Sequence, residues 1–453
     1  MSSISTSNVT SGFIDLATFD EIEKYLYGGH DATAYFVRET RKATWFTQVP
    51  VVLSRAAGSP GFGQEWSVAI SRAGDYMLHT WLRLTLPKVT GGGSNVRLRW
   101  TRNLMHNIIR ECSITFNDLI AARFDNYHLD FWAAFTVPEG KRNAYKNMIG
   151  DIDELIQPKN VLPSAVLNLP LPFFYSRDSG VALPTAALPY NEMRINFYFR
   201  DWNQLLISQT GDGTGGEDDR AVVTAATFDN GALPVLGSTQ VWANYAIVSN
   251  DERKRMACAP RDILIEQVQT APRQSFTPAT NAQQSFDIRF SHAIKVLFFA
   301  VRNSTFAAEG SNYVTTSPIR EGTVMNWAPD DGANDPIGQT SLIYENTNRL
   351  AQMGSDYFSL VNPWYHAPVI PTVTGYHSYS YSLDFISLDP MGSTNYGKLT
   401  NVSIVPEASA KAVVLNGTTS ENESFKQTYE FIVTAVNNNI IRVSGGALGF
   451  PVL

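Results

Sequence analysis

The residue pattern that comes nearest to a cofactor motif is the glycine-rich run from Gly211 to Gly216, which matches G-x-G-x-x-G. A dinucleotide site needs such a turn between a strand and a helix, so that the helix N-terminus faces the pyrophosphate. No convincing amphipathic helix follows this run, and the acidic residues 217–219 would repel phosphate. The run is therefore interpreted as a surface loop, and no cofactor is expected.

The other reactive residue types do not form a recognisable site. None of the seven histidines lies two or four positions from another, a spacing that zinc sites often use. The acidic run from Asp151 to Glu154 has no second acidic cluster as a partner and is interpreted as a solvated loop. Cys112 alternates with Ile114 and Phe116, which indicates a small core residue rather than a nucleophile. No metal site and no catalytic residue is predicted.

Basic residues cluster once with an aromatic residue, in the run RLRWTR at 97–102. On a strand Arg97 and Arg99 share one face, which could meet phosphate, but a solvated strand face and an interface salt bridge are the alternatives. The whole chain carries 35 Lys and Arg against 42 Asp and Glu, a net charge of −7. Because proteins that coat nucleic acid need excess positive charge, no direct nucleic-acid binding is expected.

Composition favours a folded structural or binding protein over an enzyme. Apolar residues make up 44% of the 453 residues, aromatic residues 12% and charged residues 17%, which favours collapse and burial over disorder. Tyr, Phe and Trp are the residues that anchor protein interfaces. The two cysteines suit a reducing compartment. The N-terminus lacks the pattern of a signal peptide, and no apolar stretch approaches the length of a spanning helix, so a soluble, unsecreted protein is expected.

Alternation with a period of two is the commonest local pattern, and it predicts strands. In residues 193–199, Met, Ile, Phe and Phe interleave with Arg, Asn and Tyr, which places one face in a core and the other in water. Turn clusters rich in Gly, Asn or Pro separate such runs, at 91–95, 211–216, 329–332 and 392–395. Many short strands between such turns predict an all-β sandwich or barrel. The predicted core residues are Cys112, Ile114, Phe116, Ile195, Phe197 and Phe199.

Three short helices are also predicted. A capping box at 18–21 begins the first, which places Phe19, Ile22 and Leu26 on one face. A second box at 249–252 begins a polar helix that ends at Met256, and the third helix spans 126–135. The second helix divides the chain into an N-terminal arm at 1–29, a first β domain at 30–248, a linker helix at 249–255 and a second β domain at 256–453.

A weak internal repeat suggests that the two domains are duplicates. His106 is followed eleven residues later by Asn117, and His292 is followed at the same distance by Asn303. The two copies are offset by 186 residues. The repeat predicts that segments 106–117 and 292–303 occupy the same strand in two barrels that superpose.

Nine segments resemble the major capsid proteins of iridoviruses, most of all those of invertebrate iridescent viruses. The segment at 176–184, SRDSGVALP, followed by LPYNEMRI at 188–195, is the most diagnostic. The other segments are NVTSGFIDLATF (8–19), FGQEWS (62–67), SRAGDY (71–76), YENTNRL (344–350), SLVNPWY (359–365), GSTNYGKLTN (392–401) and GFPVL (449–453). The resemblance spans essentially the whole chain and is least at 211–219 and 411–424.

The resemblance implies a double jelly roll, that is, two eight-stranded antiparallel sandwiches in tandem behind a short N-terminal helical arm. It implies that three copies form a pseudo-hexagonal capsomer, and that capsomers tile an icosahedral shell around an inner membrane and DNA. The implied location is the outer shell of the virion, after assembly in the host cytoplasm. The implied partners are neighbouring capsomers, minor capsid proteins and membrane-associated viral proteins, and Phe19, Ile22 and Leu26 are candidate assembly contacts.

Two other classes of protein are alternatives to a shell protein. A jelly-roll enzyme of the cupin kind would need clustered His and Glu ligands on adjacent strands, and none is visible. A carbohydrate-binding or host-attachment β-sandwich would need a shallow patch of exposed Trp and Tyr with Asn and Asp nearby. The absence of a catalytic constellation predicts that the chain is not an enzyme.

Overall fold

The structure is a computed structural model that describes residues 2–211, 219–315, 334–416 and 426–451. It contains two compact units, Met1–Trp45 and Phe46–Leu453. The predicted loop residues 212–216 and the predicted turn at 329–332 lie outside the described residues. Within the described ranges, no helix is both long enough and apolar enough to cross a membrane.

The N-terminal unit contains two helices where the sequence predicted one. Helix α1 spans Ser2–Ala17 and helix α2 spans Glu21–Leu26. In α1 the hydroxyl of Thr10 donates to the carbonyl of Thr6 at 2.9 Å, which is how a helix accommodates a Ser/Thr-rich segment. The sequence analysis had predicted only the helix that contains Ile22 and Leu26, so α1 is an additional helix.

The cap of α2 lies two residues later than predicted. Asp20 is the N-cap; its carboxylate accepts from the backbone N–H of Glu21 at 2.8 Å, and the Glu23 carboxylate accepts from the backbone N–H of Asp20 at 3.2 Å. A carboxylate at both capping positions accepts stronger, charge-assisted bonds than the hydroxyl of Thr18 would. Residues 30–45 form no helix or strand, so the unit extends to Trp45, beyond the predicted end of the arm at residue 29.

Fourteen strands lie in the described residues between 46 and 248 and form the first barrel. They are β1 Phe46–Val52, β2 Ser54–Gly58, β3 Glu65–Ala69, β4 Tyr76–Leu86, β5 Val89–Thr90, β6 Leu98–Trp100, β7 Ile109–Phe116, β8 Leu119–Phe124, β9 Val161–Leu162, β10 Ala165–Pro170, β11 Met193–Phe199, β12 Leu206–Gln209, β13 Arg220–Val222 and β14 Thr239–Val248. The α-helices in the described connections are α3 Leu104–Ile108, α4 Asn126–Thr136, α5 Glu139–Ile149 and α6 Asp153–Ile156.

Two main antiparallel sheets enclose the core of this barrel. One has the order β1-β14-β4-β10 and the other the order β2-β3-β11-β7-β8; the smaller sheets are β13-β12-β6 and β5-β9. Leucines of β4 and apolar residues of β11 belong to the same buried cluster, because each sheet turns its alternate apolar face towards the other.

Strand β11 brings the predicted core residues together. Phe197 lies opposite Cys112 of β7 on one side and Trp66 of β3 on the other, and the rings of Phe197 and Trp66 stack with centroids 5.6 Å apart. Ile195 lies opposite Ile114. At most 4% of the surface is exposed in each of Cys112, Ile114, Phe116, Ile195, Phe197 and Phe199.

Helix α7, Asn250–Cys258, connects this barrel to the second one. Eleven strands of the described chain form the second barrel: β15 Arg261–Thr270, β16 Gln274–Phe276, β17 Phe286–Asp287, β18 Ala293–Asn303, β19 Ile337–Tyr344, β20 Thr347–Gly354, β21 His377–Ser380, β22 Thr394–Asn395, β23 Val402–Ala408, β24 Tyr429–Ser444 and β25 Ala447–Gly449. Helices α8 Asn362–His366 and α9 Ala410–Asn416 lie in its connections, and a π-helical turn, Tyr357–Val361, precedes α8.

The second barrel repeats the strand order of the first. Its main sheets are β15-β24-β18-β21, to which β16, β22 and β25 add, and β17-β23-β19-β20. When the strands of each barrel are ranked by their order along the chain, these two sheets have the same strand order as β1-β14-β4-β10 and β3-β11-β7-β8 of the first barrel. Each barrel is therefore an eight-stranded jelly roll with a few additional short strands. Among the described strands, none of one barrel pairs with a strand of the other.

The predicted His/Asn repeat is wrong. Segment 106–117 contains β7, in the middle of the second sheet of its barrel, whereas 292–303 contains β18, whose counterpart by sheet position is β4. The two histidines also differ in backbone conformation. His292 has φ +64 in a turn before its strand, whereas His106 lies within the short helix α3. The three identities over twelve residues therefore do not mark equivalent strands of the two barrels.

Candidate functional site at the junction of the barrels

Helix α4 of the first barrel packs against the outer face of the second. Its N-cap Asp125 accepts a bond from the backbone N–H of His128 at 3.0 Å, and Pro138 restricts Val137 to extended backbone, which ends the helix. Phe131 and Phe135 stack on Phe298 of β18, with ring centroids 5.7 and 5.4 Å apart. The first barrel therefore supplies an apolar cover for the second.

Strand β18 consequently has no solvent face. Leu297 and Phe299 point into the core of the second barrel, while Val296 and Phe298 pack in the cluster around α4. Every residue of the strand after Ala293 is buried. Because a strand that is covered on both faces buries every side chain, its sequence is a continuous apolar run rather than an alternation of apolar and polar residues.

A segment of the second barrel, residues 304–315, which we call the docking segment, inserts against the first barrel. Its Gly310 approaches so closely that a Cβ there would lie 2.2 Å from the side-chain oxygen of Asn107. The amide of Asn107 donates to the hydroxyl of Ser311 at 2.8 Å. Only glycine permits this approach of the two chains.

Glu309 of the docking segment forms a buried ion pair with Arg99 of β6, and each side chain is 1% exposed. The guanidinium of Arg99 also donates from Nε to the side chain of Gln209 at 2.5 Å. The sequence had predicted that Arg97 and Arg99 share one strand face, with phosphate binding, a solvated face and an interface salt bridge as the alternatives. Arg97 is exposed, but Arg99 is buried because the docking segment covers it, so the interface salt bridge is the alternative that the structure shows.

Asp130 of α4 is the centre of a second polar cluster. One of its carboxylate oxygens accepts from Ser311 at 2.8 Å and from Tyr313 at 2.7 Å, and the other lies 2.8 Å from Nδ1 of His106. Burial and the charge of Asp130 raise the pKa of Tyr145, whose hydroxyl lies 2.5 Å from Nε2 of His106. The cluster therefore joins the two barrels through one buried carboxylate, which contacts His106 of the first barrel and the hydroxyls of Ser311 and Tyr313 of the second.

A third cluster joins the barrels on the far side of α4. Glu266 of β15 accepts charge-assisted bonds from Arg177 of the first barrel and from Lys295 of β18. Arg177 also lies over the ring of Trp132, 4.5 Å from its centroid. Burial lowers the pKa of Arg177 and Glu266 raises it, so the carboxylate compensates the buried cation.

Asp335, Ser355 and His377 have the residue types of a hydrolase triad but not its geometry. The Ser355 hydroxyl lies 2.6 Å from Nε2 of His377, and Asp335 lies 2.8 Å from that same nitrogen. A triad needs the carboxylate on the other ring nitrogen, whereas Nδ1 of His377 is buried and has no hydrogen-bond partner among the described residues. These residues are far apart in the sequence and match no motif, which is why the sequence did not point to them.

The other residues considered from the sequence do not form a reactive site. Asp151 is buried and lies 3.9 Å from Arg102, whereas Asp153 and Glu154 are exposed. Burial raises the pKa of the Cys112 thiol well above its usual value, so it is a poor nucleophile. The cavity beside Asp130 is about 70 Å³, which is room for about two water molecules. Within the described part of the chain, no group of three His, Cys, Asp or Glu residues could hold a metal ion.

Two jelly rolls in one chain, joined by buried polar clusters rather than by a reactive centre, define a protein of the double jelly-roll class. Two family models match: "Major capsid protein N-terminus" over residues 34–248 and "Large eukaryotic DNA virus major capsid protein" over residues 252–449. The chain belongs to the major capsid protein family of the large eukaryotic DNA viruses, and its role is structural rather than enzymatic.

Two curated relatives agree with this family. The chain is 66% identical to the major capsid protein of Invertebrate iridescent virus 6, across 100% of both chains. It is 51% identical to that of Lymphocystis disease virus 1, again across 100% of both. The resemblance to iridovirus capsid proteins predicted from the sequence is confirmed.

Two solved structures share the fold. The structure entitled "PBCV-1 virus capsid, quasi-atomic model" superposes with a TM-score of 0.70 at 21% identity, covering 93% of this chain and 100% of that one. The Faustovirus major capsid protein superposes with a TM-score of 0.65 at 12% identity, covering 91% and 93%. The predicted double jelly-roll fold is confirmed.

Proposed function

We propose that three copies of this chain form a pseudo-hexagonal capsomer and that capsomers tile a large icosahedral virus shell. The observation that carries this proposal is the pair of jelly rolls with the same strand order in one chain of a major capsid protein. Three such chains around a threefold axis place six similar barrels around that axis, which gives a nearly hexagonal outline.

The rigid junction between the barrels supports this geometry. A tile needs a constant angle between its two barrels, because each edge must meet a neighbour in the same way. Helix α4 and the three buried polar clusters hold that angle, with Phe131, Glu309, Asp130 and Glu266 as their central residues. A flexible linker alone would leave the relative orientation free.

An apolar patch on the second barrel is the subunit contact that we propose. Trp364 and Tyr365 of α8 are 71% and 72% exposed, and Leu383, whose carbonyl is hydrogen-bonded to the neighbouring His366, is 70% exposed. Large exposed side chains that cluster in this way mark interaction sites more often than free surface. Burying them against a second copy would remove them from water.

The N-terminal arm supplies a further set of proposed contacts. Phe19, Ile22 and Leu26 are 51%, 70% and 63% exposed, and no side chain of the short helix α2 is buried. We propose that these residues contact neighbouring capsomers, minor capsid proteins or membrane-associated viral proteins. In this proposal the protein lies in the outer shell of the virion after assembly in the host cytoplasm, and a membrane separates it from the DNA.

Native mass spectrometry with negative-stain imaging of the full-length protein tests the proposal. The expected particle has about three times the 50.1 kDa mass of the chain and a hexagonal outline. The variant Trp364→Ser/Tyr365→Ser should lose trimers or shells and keep its melting temperature, whereas Tyr190→Ser, an equally exposed residue outside the patch, should assemble normally. A monomer that binds on a glycan array would instead favour the alternative of a carbohydrate-binding or host-attachment protein.

A further inference from the structure

An open cleft of about 740 Å³ lies between the two barrels and is lined by six arginines. Each barrel contributes three of them: Arg110, Arg123 and Arg200 from the first, and Arg273, Arg289 and Arg302 from the second. Three carboxylates, Glu111, Asp125 and Glu430, line the same cleft, so an excess of three positive charges is concentrated there. This concentration is unexpected in a chain with a net charge of −7.

The carboxylates leave much of this charge uncompensated. Glu430 serves both Arg302 at 3.4 Å and Arg273 at 3.6 Å, and Asp125 caps helix α4. Glu111 lies 4.0 Å from Arg123, which is the limit of an ion pair between exposed groups. Like charges that line one cleft repel one another unless an anion compensates them.

Two arginines at the rim have no partner within the described ranges of the chain. Neither Arg110 nor Arg289 forms a hydrogen bond or ion pair with any described residue, and both side chains are exposed. Deeper in the cleft, Nε of Arg200 is buried without a hydrogen-bond partner in the described part of the chain, while its Nη2 donates to the side chain of Asn126 at 3.0 Å. Burial lowers the pKa of Arg200, as do the neighbouring Arg302 and Arg273. The cleft therefore offers guanidinium donors from both barrels that no acceptor among residues 2–211, 219–315, 334–416 and 426–451 uses.

We infer that this cleft binds a small anion that carries several phosphate groups and that arginines of both barrels hold it jointly. Guanidinium groups match phosphate oxygens with paired, charge-assisted hydrogen bonds. The volume lies within the range of small-molecule sites, and an excess of three charges matches a triphosphate better than a single phosphate. A nucleic-acid strand would instead need an extended basic groove along which several successive nucleotides could lie.

Binding should stabilise the junction of the barrels, because the anion would contact both. The probe is inorganic tripolyphosphate, added to the purified full-length protein at constant ionic strength, with binding measured by calorimetry and stability by melting temperature. We expect saturable binding and a rise in melting temperature that grows with the tripolyphosphate concentration. Sulfate at the same ionic strength should give a much smaller rise.

The variant Arg110→Gln/Arg289→Gln removes one rim charge from each barrel and should weaken tripolyphosphate binding at least tenfold. Arg55→Gln, an exposed arginine of β2 outside the cleft, is the matched control and should bind as the unmodified protein does. The single variants Arg110→Gln and Arg289→Gln serve if the double variant does not fold, and each should lose part of the affinity. Unchanged binding in these variants, no binding at all, or an equal effect of sulfate would overturn the inference.

Two further probes distinguish the source of the phosphate groups. ATP represents a free nucleotide, and vesicles that contain a phosphoinositide represent a lipid headgroup. Competition of ATP with tripolyphosphate supports a free anion, and capture by the vesicles that is lost in the double variant supports a headgroup. If neither ATP nor the phosphoinositide vesicles displace bound tripolyphosphate, the inference that the cleft binds a biological polyphosphate is contradicted.

Discussion

Individual residues in this protein have roles that depend on which face of a strand they occupy. Residues 193–199 alternate so regularly that the inward and outward side chains can be assigned without the structure. The inward residue Phe197 has no exposed surface, and its ring stacks on those of Trp66 and Phe199, which also stack on each other. Arg194 of the same strand is partly exposed and pairs with Glu192.

Replacing Phe197 by Ala should lower the free energy of unfolding of the first barrel by about 3–5 kcal/mol, because a large cavity would remain in a close-packed core. Replacing Arg194 by Ala should change it by no more than about 0.5 kcal/mol. Urea denaturation followed by tryptophan fluorescence measures both. An equal decrease in the free energy of unfolding for both variants would show that a subunit interface covers Arg194, or that the inward and outward faces of the strand are assigned wrongly.

His128 makes the stability of the protein depend on pH. Burial, and to a lesser extent Arg177, lowers the pKa of His128 to about 3, so the folded protein keeps it neutral in mildly acidic solution. The unfolded chain takes up the proton near pH 6.5, so stability falls as the pH is lowered from there towards 3. The loss from this residue is about 1.4 kcal/mol per pH unit, or roughly 2 kcal/mol at pH 5.

The variant His128→Phe should therefore lose less stability between pH 7 and pH 5 than the unmodified protein, whatever its stability at pH 7. His30→Gln, which changes an exposed histidine, should follow the unmodified protein. The measurement is the free energy of unfolding across this pH range. Identical slopes for all three proteins would contradict the burial of a neutral His128.

At the scale of elements, the N-terminal helices differ from the strands of the barrels in what can stabilise them. Helix α2 has six residues and no buried side chain, and a helix of that length is marginal in water. Exposure of the apolar residues of α2 and of the residues beside its cap contributes no stabilising free energy. Burial against a partner in the assembled shell would therefore stabilise this helix.

Deleting residues 1–29 should leave folded trimers with an unchanged melting temperature and should reduce the yield of closed shells. The point variant Ile22→Ser/Leu26→Ser should have the same effect in smaller degree, and Lys24→Ser, on the same helix, serves as its control. Mass, melting temperature and shell yield are measured on each protein. Loss of the trimer after the deletion would place these residues within the subunit instead.

For the whole molecule, the two barrels behave as one body because buried charges and apolar residues cross between them. Ile263 and Ile441, near the ends of β15 and β24 in the second barrel, belong to the same buried cluster as the core of the first barrel. Glu266 is the carboxylate shared by Arg177 and Lys295, one cation from each barrel.

Replacing Glu266 by Ala should destabilise the protein by about 3–5 kcal/mol, because two buried cations lose their shared carboxylate. The variant Arg177→Met/Glu266→Leu/Lys295→Met should recover most of that loss, since it removes every charge of the cluster. Urea unfolding of both variants is the test. A triple variant as unstable as Glu266→Ala would show that packing, rather than charge, is the important term at this site.

The sequence by itself determined the features that depend on neighbouring residues along the chain. Alternation placed Phe197 and Ile114 on inward faces, the run before Pro138 indicated α4, and Ser249 marked the start of the connecting helix. These predictions are correct because the faces of a strand or helix repeat every two to four residues, so all the residues that define a face lie close together in the sequence. Motif matches over the full length also indicated the family.

Only the tertiary structure decided what covers each face. Nothing near Arg99 in the sequence indicates Glu309, and nothing near Arg110 indicates Arg289, yet each pair lies at the same junction. The same limit explains the false repeat at His106 and His292, which shares residue types but not sheet position. A contact between residues about two hundred positions apart depends on how the two barrels pack. The energy of that packing is distributed over both surfaces, so the sequence of either segment alone does not predict the contact.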